Sequence, residues 1–349
     1  MLRQAQHDGL PLTLPVSVLP KSHPMPSFQH LLLKQLLTAA AAPLARRKPS
    51  VGAMRLAMEA GSLFQFMPWR VNLESFSLDN RLEAEWLRPR QAHPTRVLLY
   101  LHGGGYVLGS LNTHRSLVGS LALRCGLNVL TINYRKAPDH PFPAALDDVK
   151  RAYLWLLRQS YRPQDIVVAG DSAGGGLALA LLLALRDAGE TAPAAGIGLS
   201  PWTDLNLPIG ALRRVAREES LLLEALQMRN WGPLYAHKTA LSHPLLSPLQ
   251  ADLHGLPPLL IQVSTAEVLY DDAVKFTDKA KAAGVLVTLQ PFEGLVHWWH
   301  LFWRVVPEAQ QALDQVASFL EKRWVAQASE VEPGAAQIRS AGARRRQAV

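Results

Sequence analysis

Ile166-Val167-Val168-Ala169-Gly170-Asp171-Ser172-Ala173-Gly174-Gly175-Gly176-Leu177-Ala178-Leu179 is the stretch that decides the fold. Its first four residues are an apolar run that predicts a buried strand. From Gly175 through Leu183 the pattern predicts a buried helix. Between the two, Gly170-Asp171-Ser172-Ala173-Gly174 fits G-x-S-x-G. Strand, tight turn and helix are the setting in which this pattern makes a nucleophile elbow, with the serine hydroxyl held on a strained turn above a sheet. Glycines two residues on either side let strand and helix approach without a Cβ clash. Taken alone, the pentapeptide reads equally well as a Gly-rich turn.

The surrounding chain supplies the setting. Residues 70–76 and 81–88 alternate as the two strands of a hairpin. Further strands are expected at 96–101, 128–133, 165–170, 194–199, 258–263 and 285–290. Helices are expected at 28–46, 144–159, 172–187, 271–283 and 307–326. Strands alternating with helices imply an α/β domain, a mostly parallel sheet flanked by helices on both faces. Residues 205–240 break the alternation and read as an insertion over the strand ends. With residues 25–60 they would form a helical cap on a domain spanning 25–326. Residues 1–24 carry four prolines and no secretory pattern, so a disordered extension is expected, with Met25 as an alternative start. The polar stretch 327–349, rich in Ala, Gln and Arg, is likewise expected to be a disordered basic tail.

Composition narrows the class. At 48% hydrophobic and 18% charged, the 349 residues suit a globular enzyme with a sizeable core. The single Cys125 excludes a disulfide framework and a cysteine metal cluster, and suits a reducing, cytoplasmic compartment. Part of the net charge of +8 sits in Arg46-Arg47-Lys48 and Arg344-Arg345-Arg346. No basic stripe with interleaved aromatics accompanies these runs, so no nucleic-acid partner is expected. The apolar segments near the start are broken by Lys34, Pro43 and Arg46, short of the roughly 20 residues of a membrane span. No cofactor or metal is expected, since His237, His243 and His254 lack ligand spacing.

A serine nucleophile needs a base, an acid to orient the base, and donors for the oxyanion. His102-Gly103-Gly104-Gly105 follows the strand ending at Leu101, where successive glycines let backbone N–H groups converge. Such a loop pairs with the N–H of the residue after the nucleophile, Ala173. A phosphate-binding loop is the alternative, but no G-K-[ST] follows. Among twelve histidines, His297 follows the last strand by a short turn, with His300 as its neighbour and competitor. The loop after strand 258–263 holds Glu267, Asp271 and Asp272. Glu267 lies nearest the sheet end, whereas the two aspartates suit the first turn of a helix.

Taken together, the chain resembles the hormone-sensitive-lipase family of α/β-hydrolases, the bacterial family IV esterases. The matching pieces are His102-Gly103-Gly104-Gly105-Tyr106, Asn133-Tyr134-Arg135-Lys136-Ala137-Pro138, Phe142-Pro143-Ala144-Ala145, Gly170-Asp171-Ser172-Ala173-Gly174-Gly175, Ser200-Pro201-Trp202-Thr203-Asp204-Leu205, and Glu267 through Asp272 on to His297. The resemblance implies an eight-stranded sheet with a helical cap, Ser172 as nucleophile, His297 as base and Glu267 as acid. It implies an oxyanion hole built from Gly103, Gly104, Gly105 and Ala173, with Gly103 shaping the turn. Many relatives carry aspartate in a D-P-L-x-D-E motif where this chain has Glu267, which leaves Asp271 as the alternative acid. Tyr106, Trp202, Trp298 and Trp299 are the aromatic candidates for the substrate pocket. The two indoles after His297 either narrow that pocket or pack against the cap. The activity implied is carboxylesterase hydrolysis of small, short- to medium-chain esters through an acyl-enzyme. Lactones and aryl esters are alternatives on the same machinery. A non-catalytic binding protein is the rival class, opposed by the intact Ser172–His297 pair. The sequence leaves a homodimer open.

Overall fold

The computed structural model describes residues 25–206 and 228–346. Eight strands form one sheet in the order β1-β2-β4-β3-β5-β6-β7-β8. The hairpin β1 (Val71–Leu78) and β2 (Leu82–Pro89) is antiparallel, and β2 runs antiparallel to β4 (Asn128–Ile132). From β4 onward all neighbours are parallel: β3 (Val97–Leu101), β5 (Ile166–Asp171), β6 (Ala195–Leu199), β7 (Leu259–Ser264) and β8 (Val287–Phe292). This is the α/β-hydrolase architecture expected from the sequence.

Central strands of a parallel sheet are covered on both faces, so they read as unbroken apolar runs. The two-residue period sorts those runs. Val97, Leu99 and Leu101 of β3 join Ile166 and Val168 of β5 on one side. Leu98, Tyr100, Val167 and Ala169 join the core on the other. Helices α4 (Ala144–Arg158) and α5 (Ala173–Asp187) cover the first side. Helices α3 (Leu111–Cys125) and α8 (Pro307–Arg346) cover the second.

Two helices are absent from the sequence reading, although their start signals are present. Ser50 caps α2 (Val51–Ser62) by accepting from the Ala53 N–H. Ser110 and Thr113 form a reciprocal capping box on α3, which ends at Gly126 in the left-handed region. Strand β8 begins two residues later than expected, because the Val285 N–H closes the end of α7 (Tyr270–Ala282) on the Ala280 carbonyl. The last helix runs on to Arg346 rather than giving way to a disordered tail at 327. Its Ala, Gln, Glu and Arg residues favour helix, against the opposing preference of Pro333, Gly334 and Gly342. The proposed extension over 1–24 lies outside the described residues. So does 207–227 of the insertion, from which α6 (Met228–Ala236) emerges. Helix α1 (Phe28–Arg47) packs Leu37, Ala41 and Ala45 against Val296 and Trp298.

Candidate active site

Ser172 sits at the C-terminal end of β5 with φ 51° and ψ −119°. A non-glycine residue in that region is strained, and the surroundings must enforce it. Here they do so through three backbone bonds. The Ser172 N–H donates to the Leu199 carbonyl at 2.9 Å, and its carbonyl accepts from Trp202 N at 2.9 Å and Gly176 N at 3.0 Å. The close approach also dictates Gly174, where an added Cβ would strike the Leu101 and His102 carbonyls.

The candidate base and acid come from neighbouring strand ends. Ser172 Oγ donates to His297 Nε2 at 2.9 Å, and His297 Nδ1 donates to Glu267 Oε2 at 2.7 Å. The other carboxylate oxygen accepts the Ser264 N–H at 2.8 Å. All three side chains are buried, Ser172 at 2% exposure. Accepting at both oxygens locks the Glu267 carboxylate, which in turn fixes the imidazole with its proton on Nδ1. That tautomer leaves Nε2 free to take the serine proton. Ser264 also ties the acid loop to the base loop, its Oγ donating to the Leu295 carbonyl and accepting the Leu295 N–H. His30 of α1, fully buried, accepts the Val296 N–H at 3.1 Å, one residue before the base.

The remaining acid and base candidates lie elsewhere. His300 is buried and hydrogen-bonds Gln262. Burial pushes its imidazole down to about 3, outweighing the opposing pull of Asp171. Asp272 lies in the first turn of α7, as expected for a helix start. Burial raises its carboxyl to about 7, and the neighbouring charges of Asp204 and Asp271 push the same way against Lys275. In the unfolded chain that carboxyl ionises near 3.8, so stability is lost as the pH rises from there to about 7. Asp272→Asn is therefore expected to melt higher than the parent at pH 8, with the gain closing toward pH 4. Thermal melts at the two pH values check this, and equal shifts at both would contradict it.

The glycine loop corrects one assignment. The Gly103 N–H donates to Asp171 Oδ1 at 2.9 Å, so it is spent on the turn and is not an oxyanion donor. Asp171 also accepts from Tyr100 Oη at 2.7 Å and contacts His114 Nε2 at 3.2 Å. Burial alone would raise this carboxyl, but His114 and the hydrogen bonds hold it at about 2. A permanent buried anion thus anchors the loop. Gly104 and Gly105 take φ of 115° and 63°, and a Cβ on Gly105 would strike the Trp231 ring. Among the described residues, the N–H groups of Gly104, Gly105 and Ala173 meet no acceptor. Ala173 is also the first residue of α5, where the positive end of the helix dipole favours an anion.

The four aromatic pocket candidates separate. Trp298 lies edge-on to His297, ring centroids 5.1 Å apart. Its left-handed backbone, φ 68°, turns the next residue the other way. Trp299 consequently packs with Phe292, Leu295 and Val306 and is no wall beside the serine. Tyr106 and Trp202 are buried against α5, where a Cβ on Gly176 would meet both. Tyr106 stacks on Tyr235 at 3.9 Å. Sequence reasoning missed Trp231 and Tyr235, although their spacing of four on α6 places them on one helix face.

This elbow, loop and hydrogen-bonded chain can be set beside known proteins. Residues 98–301 match the family model described as alpha/beta hydrolase fold. The chain belongs to that family, among its bacterial hormone-sensitive-lipase esterases. It is 45% identical over 237 residues to an acetyl-hydrolase of Streptomyces hygroscopicus, covering 68% of this chain and 79% of that one. The crystal structure of EstE5 soaked with p-nitrophenyl butyrate is 38% identical, with a TM-score of 0.79 over 86% of this chain and 99% of that one. An esterase from the bacterial hormone-sensitive lipase family is 37% identical, with a TM-score of 0.74 over 82% and 98%. The protein is a carboxylic ester hydrolase.

Proposed function

We propose that the enzyme hydrolyses short- to medium-chain esters by acyl transfer through Ser172. The observation that carries this reading is the continuous chain from Ser172 Oγ through His297 to Glu267. His297 takes the serine proton as Oγ attacks the ester carbonyl. The N–H groups of Gly104, Gly105 and Ala173 receive the developing oxyanion, where losing one donor typically costs on the order of 10² to 10³ in rate. The C–O bond to the alcohol breaks as His297 returns the proton to the leaving oxygen, giving the acyl-enzyme. Water, deprotonated by the same imidazole, repeats the attack and frees the acid. Glu267 holds the tautomer and stabilises the imidazolium.

Short acyl groups are favoured because Trp298 flanks the base while Trp231 presses on Gly105. The similarity to an acetyl-hydrolase supports the same preference. On p-nitrophenyl esters, kcat/KM is expected to peak between acetate and butyrate and to fall steeply by octanoate. A profile rising toward octanoate would overturn the chain-length reading.

A further inference from the structure

We propose that the loop joining α2 to β1, with the arginine-lined groove beside it, docks the enzyme onto a bilayer carrying anionic lipids. The loop runs Leu63-Phe64-Gln65-Phe66-Met67-Pro68-Trp69-Arg70. Leu63, Phe64, Phe66 and Trp69 are 77%, 81%, 65% and 79% exposed. The fold itself holds them outward. Met67 packs on the core and Pro68 is buried, both set against Gly119 of α3. The Phe66 carbonyl accepts from Ser116 Oγ at 3.0 Å and Arg304 Nη1 at 3.2 Å. Val305, beside Arg304, extends the apolar surface. Bulky side chains on an anchored backbone present apolar area without the entropy cost of ordering a loose loop.

The charge around this surface selects the partner. The Arg70 guanidinium lies over the Trp69 ring at 4.8 Å, and that of Arg304 over the Trp303 ring at 5.4 Å. From Trp69 and Arg70 opens a cavity of about 1220 Å³ that is also lined by Arg90, Arg96 and Arg124. Its carboxylates are Asp314, which pairs with Arg124, and Glu321. Among the described residues, Arg70, Arg90 and Arg96 form no ion pair with a carboxylate. Aromatic and apolar tips flanked by guanidinium groups match the boundary between acyl chains and phosphate headgroups. Arginine is also suited to phosphate by its fork of donors. A second copy of this chain fits less well, since a two-fold contact would bring two copies of the same arginine-rich surface together, and their like charges repel. The contact would be peripheral, because no helix among the described residues is long and apolar enough to cross a membrane.

The surface is separate from the ester site. Val71 pairs with Pro89, and Leu87 with Val129, at the edge where β3 and β4 begin. Ser172 follows the opposite ends of the parallel strands. Docking therefore concerns where the enzyme sits, not how it cleaves a small ester, and it stands or falls independently of the serine mechanism.

Sedimentation of the full chain with phosphatidylcholine vesicles, with and without phosphatidylglycerol, tests the proposal. The protein should pellet with the anionic vesicles, and added salt should release it. The double variant Phe64→Ser/Trp69→Ser should bind about tenfold or more weakly. Arg90→Glu/Arg96→Glu should lose the preference for phosphatidylglycerol by about 25-fold or more, at about fivefold per lost positive charge. Hydrolysis of p-nitrophenyl acetate should stay unchanged in both variants, and both should remain folded, although Arg96→Glu gives up a contact over the Trp324 ring at 4.4 Å. A wild-type protein that stays in the supernatant with both vesicles overturns the proposal, as do variants that bind like wild type. Loss of concentration-dependent self-association in these variants, without vesicle binding by the parent, would assign the surface to a second copy instead.

Discussion

Replacing Ser172 by alanine is expected to remove ester hydrolysis almost completely, with kcat falling on the order of 10⁴-fold or more. The hydroxyl is the sole atom lost, and it is the atom His297 Nε2 holds at 2.9 Å. The residual rate would come from binding and from the Gly104, Gly105 and Ala173 donors, which survive the change. Stability should hold, because the backbone bonds to Leu199, Trp202 and Gly176 that fix φ 51° are main-chain bonds. Alanine meets the same steric cost at that backbone angle as serine. Steady-state hydrolysis of p-nitrophenyl acetate and a thermal melt measure the two quantities. A serine-directed phosphonate should label the parent one-to-one and leave the variant unlabelled. Turnover near the parental rate in a variant with an unchanged melt would place the nucleophile elsewhere.

The parts of this site that the sequence revealed are those written locally. The elbow is a strand, a turn and a helix within about twenty residues. Each of the other strands is a short apolar run bounded by turn residues. Glu267 and His297 follow β7 and β8 by a few residues, so locating the strands nearly locates them. What stayed hidden depends on partners distant in the chain. The role of Asp171 in spending the Gly103 N–H follows from β3 pairing directly with β5, which places Leu101 opposite Gly170. His30 reaches Val296 from 266 positions away. Nothing local separates it from an ordinary surface histidine. For Trp299 the structure chooses between the two readings, since it packs with Phe292, Leu295 and Val306 in a cluster that also takes Leu33 of α1. Adjacent tryptophans look like one wall, yet a left-handed backbone at Trp298 sends them to different sides.

The same contrast explains how the site is supported. Ser172, Glu267 and His297 follow strand ends, while α1 and α6 pack on the loops around them. Trp231 packs against Gly105, and His30 holds the segment before the base. The hydrogen bonds joining Ser172, His297 and Glu267 therefore depend on the packing of α1 and α6 as well as on the sheet. Precise placement of this kind is where modest displacements cost rate.

Glu267→Gln carries the second large expected effect and distinguishes Glu267 from Asp271 as the orienting acid. Glutamine keeps the length of the arm and can still accept the Ser264 N–H through its amide oxygen. The atom facing His297 Nδ1 then becomes an NH₂ donor, where the carboxylate oxygen accepted at 2.7 Å. Two donors cannot face each other, so the imidazole must move its proton to Nε2. In that tautomer it can no longer accept the serine proton. A fall in kcat on the order of 10³- to 10⁴-fold with KM little changed is expected, since tautomer and imidazolium stabilisation are both lost. Glu267→Asp should do less harm, about 10- to 100-fold, because the acceptor remains but its arm is one methylene short. The order parent, Asp, Gln is the signature of an orienting carboxylate. If Glu267→Gln retains most of the parental kcat while Asp271→Asn abolishes it, the acid is Asp271 and Glu267 serves only to tie Ser264 to the loop.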